Sequence, residues 1–221
     1  HLAESVLALS VVLPSGEIWT LERSDRRLAD FFGCEGQLGL MTQITLALRP
    51  APVQSRPFLH YFDRETEAFA FLEAVASRGH APAHLAFYDA SRFREENALF
   101  RDKTGFKEDI VEEKSAVLLH FDDPVAAERF GMDAGLPASR PAKAMAGRYF
   151  WSERFYPMKA QRRGPGMLAS EVVMPLARLG SYLAEARRLA RRFGTELACE
   201  ASLHKSGGPA GLDAVVILSF L

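Results

Sequence analysis

The chain has 221 residues, 48% of them apolar and 25% charged, with 27 Lys plus Arg against 28 Asp plus Glu for a net charge of −1. This length and composition support a full hydrophobic core in one domain or two, which excludes global disorder. The balanced charge offers no excess of cations to displace counterions from phosphate backbones, and no apolar run approaches the roughly 18 residues of a membrane span, so neither a nucleic-acid partner nor a transmembrane segment is expected.

Residues 6–13 form a β-rich run closed by Pro14-Ser15-Gly16, and residues 17–21 alternate polar and apolar, which together signal a hairpin. A short helical piece over 27–32 leads into Gly33-Cys34-Glu35-Gly36-Gln37-Leu38-Gly39, where three glycines in seven residues demand unusual backbone angles or the close approach of another group. A β-prone run over 40–48 stops at Arg49-Pro50-Ala51-Pro52. These prolines mark a boundary, and residues 1–53 hold too few strands to be stable alone.

Beyond the boundary, strands and helices alternate. Strands are expected over 58–62, 83–88, 116–121 and 168–174, with helices after Asp63 and over 91–100 and 124–130. Residues 131–147 are small and Pro-rich and read as loop. Pro175 stands at the first turn of the most secure helix, whose apolar face takes Leu176, Leu179, Leu183, Ala186, Leu189 and Phe193 before Gly194 stops it. Arg187, Arg188, Arg191 and Arg192 fall in its last turns, where the helix dipole favours cations without any anionic partner. Strands over 196–203 and 212–220 close the chain. The pattern predicts an α+β fold, an antiparallel sheet of ferredoxin-like type with helices on one face.

Cys34 and Cys199 lack the spacing of a zinc site or a disulfide framework, so a reducing, cytoplasmic setting is expected, with peripheral membrane association left open. The loop at 33–39 is either a tight turn or a place where bare main chain meets a flat or anionic ligand. It fits neither the Walker nor the Rossmann spacing.

The string Ser10-Val11-Val12-Leu13-Pro14-Ser15-Gly16-Glu17, followed by residues 31–46 and Leu48-Arg49-Pro50, resembles the end of the FAD-binding domain in flavin oxidoreductases of the vanillyl-alcohol oxidase, or PCMH-type, superfamily. Within it the likeness is to the branch of glycolate oxidase, D-lactate dehydrogenase and D-2-hydroxyglutarate dehydrogenase. Members read Gly-Ser-Glu-Gly-Thr-Leu-Gly-Ile-Ile-Thr here, and Cys34 and Gln37 are the departures. Trp151-Ser152-Glu153-Arg154 and the stretch from Glu171 to Leu179 resemble, more loosely, two landmarks of that family's substrate-binding cap.

The resemblance implies that residues 1–53 are the C-terminal portion of an FAD-binding domain and 54–221 a cap, cut on its C-terminal side, in a fragment that lacks the pyrophosphate-binding stretch and is inactive in isolation. It implies FAD as cofactor, with Glu35, Gly36, Gly39, Leu40 and Met41 lining its site, and oxidation of a small 2-hydroxy acid such as glycolate or D-lactate by hydride transfer to the flavin. The electron acceptor and catalytic base are not identified by it. Arg154 matches the family's Arg after the cap tryptophan, and a planar guanidinium can donate two parallel bonds to a substrate carboxylate. The alternative is a surface Arg in a basic segment with Arg148, Lys159, Arg162 and Arg163. Where relatives carry a Lys, this chain has Ala169, and in place of the branch's His-rich metal motif it reads Cys199-Glu200-Ala201-Ser202-Leu203-His204, so no metal site is assigned. His204 is a stand-in for chemistry or an ordinary loop residue. His60 and His120 read as partly buried strand residues, and Tyr149, Phe150, Trp151, Phe155 and Tyr156 as core or as a pocket wall. The alternative to an enzyme is a diverged cap that binds a ligand without turning it over.

Overall fold

A computed structural model describes residues 2–48, 50–51, 56–154, 157–164, 168–205 and 211–220. The chain divides into two compact units, His1–Ala51 and Pro52–Leu221. Arg49, Pro52, Phe155, Tyr156, the glycines at 207 and 208 and the last residue, Leu221, lie outside the described residues.

In the first unit a single helical turn, α1 (Leu2–Ser5), precedes β1 (Val6–Val12), β2 (Ile18–Glu22) and β3 (Leu40–Leu46), arranged as an antiparallel sheet in the order β2-β1-β3. Gly16, at φ +85°, makes the hairpin turn that Leu13 and Glu17 close with a 2.9 Å bond. Asp25 caps the 3₁₀ turn Arg26–Phe31 by accepting from the Arg27 N–H at 2.9 Å, and this turn delivers Leu28 and Phe31 onto Val6, Leu9, Val11 and Leu21. Every residue of β3 is exposed.

The second unit is built on a seven-stranded sheet. Its strands are β4 (Arg56–Phe62), β5 (His84–Tyr88), β6 (Ser115–Phe121), β7 (Arg140–Pro141), β8 (Leu168–Pro175), β9 (Leu197–Lys205) and β10 (Leu212–Phe220), in the order β7-β4-β6-β5-β9-β10-β8. All its pairs are antiparallel. Odd positions of β9 and even positions of β10 face one side, where α2 (Glu65–Ser77), α4 (Pro124–Gly131) and α6 (Leu179–Arg192) bury Phe71, Phe130 and Leu183 against Phe87, Leu119 and Val216. The mixed helix and antiparallel-sheet class is as expected. In addition, α3 (Ala90–Thr104) and α5 (Ala144–Glu153) cover the opposite face of β4, β6 and β5, packing Phe93 and Phe150 on Tyr61, Tyr88 and Leu118.

Several local readings are corrected. The segment 131–147 is not all loop: β7 pairs Arg140 and Pro141 with β4, and α5 starts at Ala144, drawn into a helix by burial of Ala146 and Phe150. In α6, Ala190 rather than Leu189 or Phe193 continues the buried face; Phe193 lies past the helix end and is 77% exposed. α2 starts one residue after Arg64, whose N–H is accepted by the Glu67 carboxylate at 3.2 Å, while Asp63 pairs with Lys114 instead of capping. Arg187 does have anionic partners: it spans Glu65 (2.8 and 2.5 Å) and Asp89 (3.0 Å). Asp89 in turn caps α3 through the Arg92 N–H at 2.9 Å and accepts from the Cys199 N–H at 3.0 Å, so one carboxylate fixes α3, α6 and β9 together.

Candidate functional site

Each unit holds some of the candidate residues. In the first, the glycine-spaced turn runs Gly33 (φ +75°), Glu35 (φ +49°) and Gly36 (φ +77°), three left-handed residues tied by one 2.9 Å bond from the Gln37 N–H to the Cys34 carbonyl. Around Gly33 and Gly36 there is open space within 4 Å of where a side chain would start, so their main chain is bare to an incoming group. Gly39 has a different reason to be glycine: a Cβ there would lie 2.7 Å from both Val11 Cγ1 and the Val12 carbonyl oxygen. Leu40 and Met41 open β3 opposite Val12 and Val11. Met41 and Gly33 also border an apolar cleft of about 510 Å³ lined by Val6, Leu9, Phe31 and Ile44. Cys34 is half-buried against the unit's core.

In the second unit, the face that α3 and α5 cover over β4, β6 and β5 continues onto β9, β10 and β8. There Glu200 and Ser202 are half-buried, His204 is exposed, and Val173 is 65% exposed. Period-two alternation puts His84, Ala86 and Tyr88 of β5 on this face. His84 lies opposite His120 of β6, Tyr88 opposite Glu200 of β9, and Ala86 opposite Ser202. Continuing that register sets His204 level with His84, and Asp213 of β10 pairs with His204. The sheet thus carries a transverse row of His120, His84, His204 and Asp213, with Tyr88 and Glu200 one pleat further on.

The end of α5 supplies the cation. The Arg154 guanidinium lies 3.2 Å from the centroid of the Trp151 ring and donates to the Trp151 carbonyl. The same indole stacks on His120 at 4.1 Å and 7° and meets the edge of His84 at 5.3 Å. Burial pushes the His84 imidazole down to about 4, with Arg154, His120 and His204 adding to the effect. Burial pushes the Tyr88 phenol well above its ordinary value, and the Glu200 charge pushes it further. The Glu200 carboxyl is raised by burial against the pull of Arg92 and Arg154.

Behind this pair, α3 brings a buried Arg92 whose Nη1 donates to Glu96 at 3.0 Å; Tyr149 donates to the other Glu96 oxygen at 3.0 Å. Glu95 beside them is pushed up to about 7 by burial. Tyr88 Oη, Glu200 Oε2, Glu95 Oε1 and two Arg92 nitrogens are buried without a hydrogen-bond partner among the described residues. Unsatisfied buried polar atoms in such number mark a place built to hold water or a polar ligand.

Of the residues expected from sequence, His204 stands on this sheet face, and Arg154 borders it from the end of α5 through Trp151, which stacks on His120. Glu35, Gly36, Gly39, Leu40 and Met41 cluster at one turn of the other unit. Sequence reading passed over His84, Tyr88 and the buried Arg92, Glu95 and Glu96. The spacing of His84 and Tyr88, four apart in a strand with Ala86 between, was the available signal. Among the described residues no three His, Cys, Asp or Glu side chains are grouped to hold a metal ion, and no helix is long and apolar enough to cross a membrane.

A family model described as FAD linked oxidases, C-terminal domain, matches residues 55–204. No curated protein matches the sequence. Among solved structures the chain resembles two of alkyldihydroxyacetonephosphate synthase, at 16% and 15% identity with TM-scores of 0.62 and 0.64, covering 99% of this chain and 45% and 46% of theirs. It also resembles 4-ethylphenol oxidase from Gulosibacter chungangensis in its isoeugenol complex, at 12% identity and a TM-score of 0.66, covering 99% of this chain and 52% of that one. The chain thus spans about half the length of these structures, and the likeness is one of fold.

Proposed function

The chain belongs to the FAD linked oxidases through their C-terminal domain, and from that premise we propose that it is part of a flavin-dependent oxidoreductase whose substrate is a small 2-hydroxy acid. The observation that carries the substrate class is Arg154, a guanidinium held 3.2 Å from the centroid of the Trp151 ring, on an indole that also meets the His84 imidazole, which burial keeps neutral, at a partly open sheet face. A carboxylate suits the guanidinium's paired donors, and a neighbouring imidazole at His84 or His204 suits the adjacent hydroxyl, whose proton must leave as the carbinol hydride does.

FAD, when bound, supplies the hydride acceptor. The open main chain at Gly33 and Gly36 fits the approach of a flat group, and Glu35, Gly36, Leu40 and Met41 are the residues that would hold it. Gly39 contributes by letting β3 lie tightly against β1. What the protein's own residues do is bind and orient: Arg154 fixes the acid end, and Trp151 fixes Arg154.

A second reading, a cap that binds without oxidising, is favoured by Ala169. It is exposed on β8, and its register through Ser219 to Ala198 places it on the same face as Glu200, so the second cation of the resembling branch is absent from that wall. Anaerobic mixing of the full-length flavoprotein with D-lactate, glycolate or D-2-hydroxyglutarate separates the two. Bleaching of the flavin band by one of them, lost in Arg154→Ala, is the expected result. An acid that binds with no bleaching favours the second reading, and bleaching only by substrates without a carboxylate overturns the first.

A further inference from the structure

We infer that His120 is a positioning residue: its imidazole, fixed in the middle of the sheet, sets the plane of the Trp151 indole and so decides where the Arg154 guanidinium is presented. This rests on the reading of Arg154 as the residue that receives the substrate's carboxylate, and it does not require that guanidinium to be without other partners.

β6 runs between β4 and β5, so His120 belongs to a strand paired on both sides, with Pro57 and His84 as its cross-strand neighbours. It is 3% exposed, and its Nδ1 lies 3.4 Å from Asp122 Oδ1. A ring packed in this way has little freedom to turn. Trp151 stands instead in the last turn of α5, half-buried, where its own helix leaves two side-chain bonds free to rotate. The sheet removes that freedom. The indole lies on the His120 ring at 4.1 Å and 7° from parallel, and His84 meets it edge-on at 5.3 Å and 68°.

The Arg154 guanidinium carbon is 3.2 Å from the same indole centroid. Two groups this close cannot share one face of a ring, so the indole is layered between imidazole and guanidinium. Arg154 also donates to the Trp151 carbonyl, which ties it to the Trp151 backbone as well as to the ring. An indole that turned would carry away the face on which the cation rests. The chain of support therefore runs from a central strand through His120 and Trp151 to Arg154.

The test is steady-state kinetics of the full-length protein carrying its FAD, with the hydroxy acid that bleaches the flavin. His120→Leu fills the space without offering a planar face, and His120→Phe keeps the planar face but removes the nitrogen that meets Asp122. In His120→Leu KM is expected to rise about fivefold while kcat stays within about twofold, and in His120→Phe KM stays within about twofold of wild type. The effect of His120→Leu on KM should vanish when Arg154→Ala is also present, because a residue acting through Arg154 then has nothing to act on. His120→Met is a second stack-breaking variant, with the same expectation, should the leucine protein not fold. Wild-type KM in the stack-breaking variant, while Arg154→Ala raises it, overturns the inference. So does a phenylalanine variant as impaired as the leucine one, which would move the role to the ring nitrogens, and so does a leucine effect undiminished beside Arg154→Ala, which marks general damage. If no hydroxy acid is turned over, or Arg154→Ala itself leaves KM unchanged, it is the carboxylate role of Arg154 that fails.

Discussion

At Gly39 an added methyl group would sit 2.7 Å from a β1 carbonyl oxygen, a contact that backbone cannot relieve by a rotamer change. Gly39→Ala is therefore expected to destabilise the first unit by about 1–3 kcal/mol, the usual range for overpacking, read as a fall in the β-sheet signal of residues 1–51 in hydrogen exchange. Glu35 shows the converse. It is the non-glycine residue with positive φ among the described residues, and Glu35→Gly should be neutral to stabilising by up to about 1 kcal/mol. At Arg154, loss of a charge-assisted pair predicts a rise in KM for a hydroxy acid of about 100-fold in Arg154→Ala, following from about 3 kcal/mol of transition-state and substrate binding. Arg154→Lys should recover only part of it, because an ammonium lacks the planar pair of donors that a carboxylate can accept from in parallel. Steady-state kinetics on the full-length protein checks both.

Elements here are tied by single residues more than by their own propensity. Asp89 serves the N-terminus of α3, the β9 backbone and Arg187 of α6 at once. Asp89→Ala should cost about 2–4 kcal/mol, the sum of a lost cap and a buried ion pair left half-made, whereas Asp89→Asn keeps an acceptor and should cost less. Urea midpoints distinguish them. The strands other than β7, and α2, α3, α4 and α6, were legible because alternation and helical spacing report a buried face directly. α5 was not, because its small residues and the proline-rich stretch before it hide a helix that only Phe150 and Ala146 anchor. The end of α6 misled for a related reason: the chain leaves helical geometry at Phe193, so the sequence spacing no longer maps to a face. In the site, Arg154 was reachable through its motif. Tyr88, Arg92 and Glu200 were not, since their meeting depends on the β5–β9 register between segments over 100 residues apart.

At the scale of the whole molecule, buried titratable groups pull stability in opposite directions. His60 and His84 are both pushed down to about 4 by burial. Their neutral forms are favoured in the fold, so their contribution is full above about pH 6.5 and is lost as pH falls towards 4, by about 2 kcal/mol each between pH 7 and 5. Glu95, pushed up to about 7, works the other way: its cost is present above that value and is relieved as pH falls towards 4.5. Two histidines against one carboxyl leave a net fall in the wild-type profile of about 2 kcal/mol from pH 7 to pH 5. His60→Gln should flatten the profile and Glu95→Gln should steepen its fall on acidification, as read from denaturant midpoints at pH 7, 6 and 5. Crossed slopes would mean that these groups do not control the profile.

The bareness of β3 has a practical side. Along Leu40–Leu46 its outer row of amides and carbonyls has no neighbouring strand among the described residues, and Leu40, Ile44 and Leu46 are 69%, 51% and 42% exposed. A sticky, ungated rim of this kind templates strands from other molecules, so preparations of this polypeptide should form thioflavin-positive aggregates on concentration. A lysine at Ile44, charged and in mid-strand, should delay that onset without disturbing the hairpin beside it.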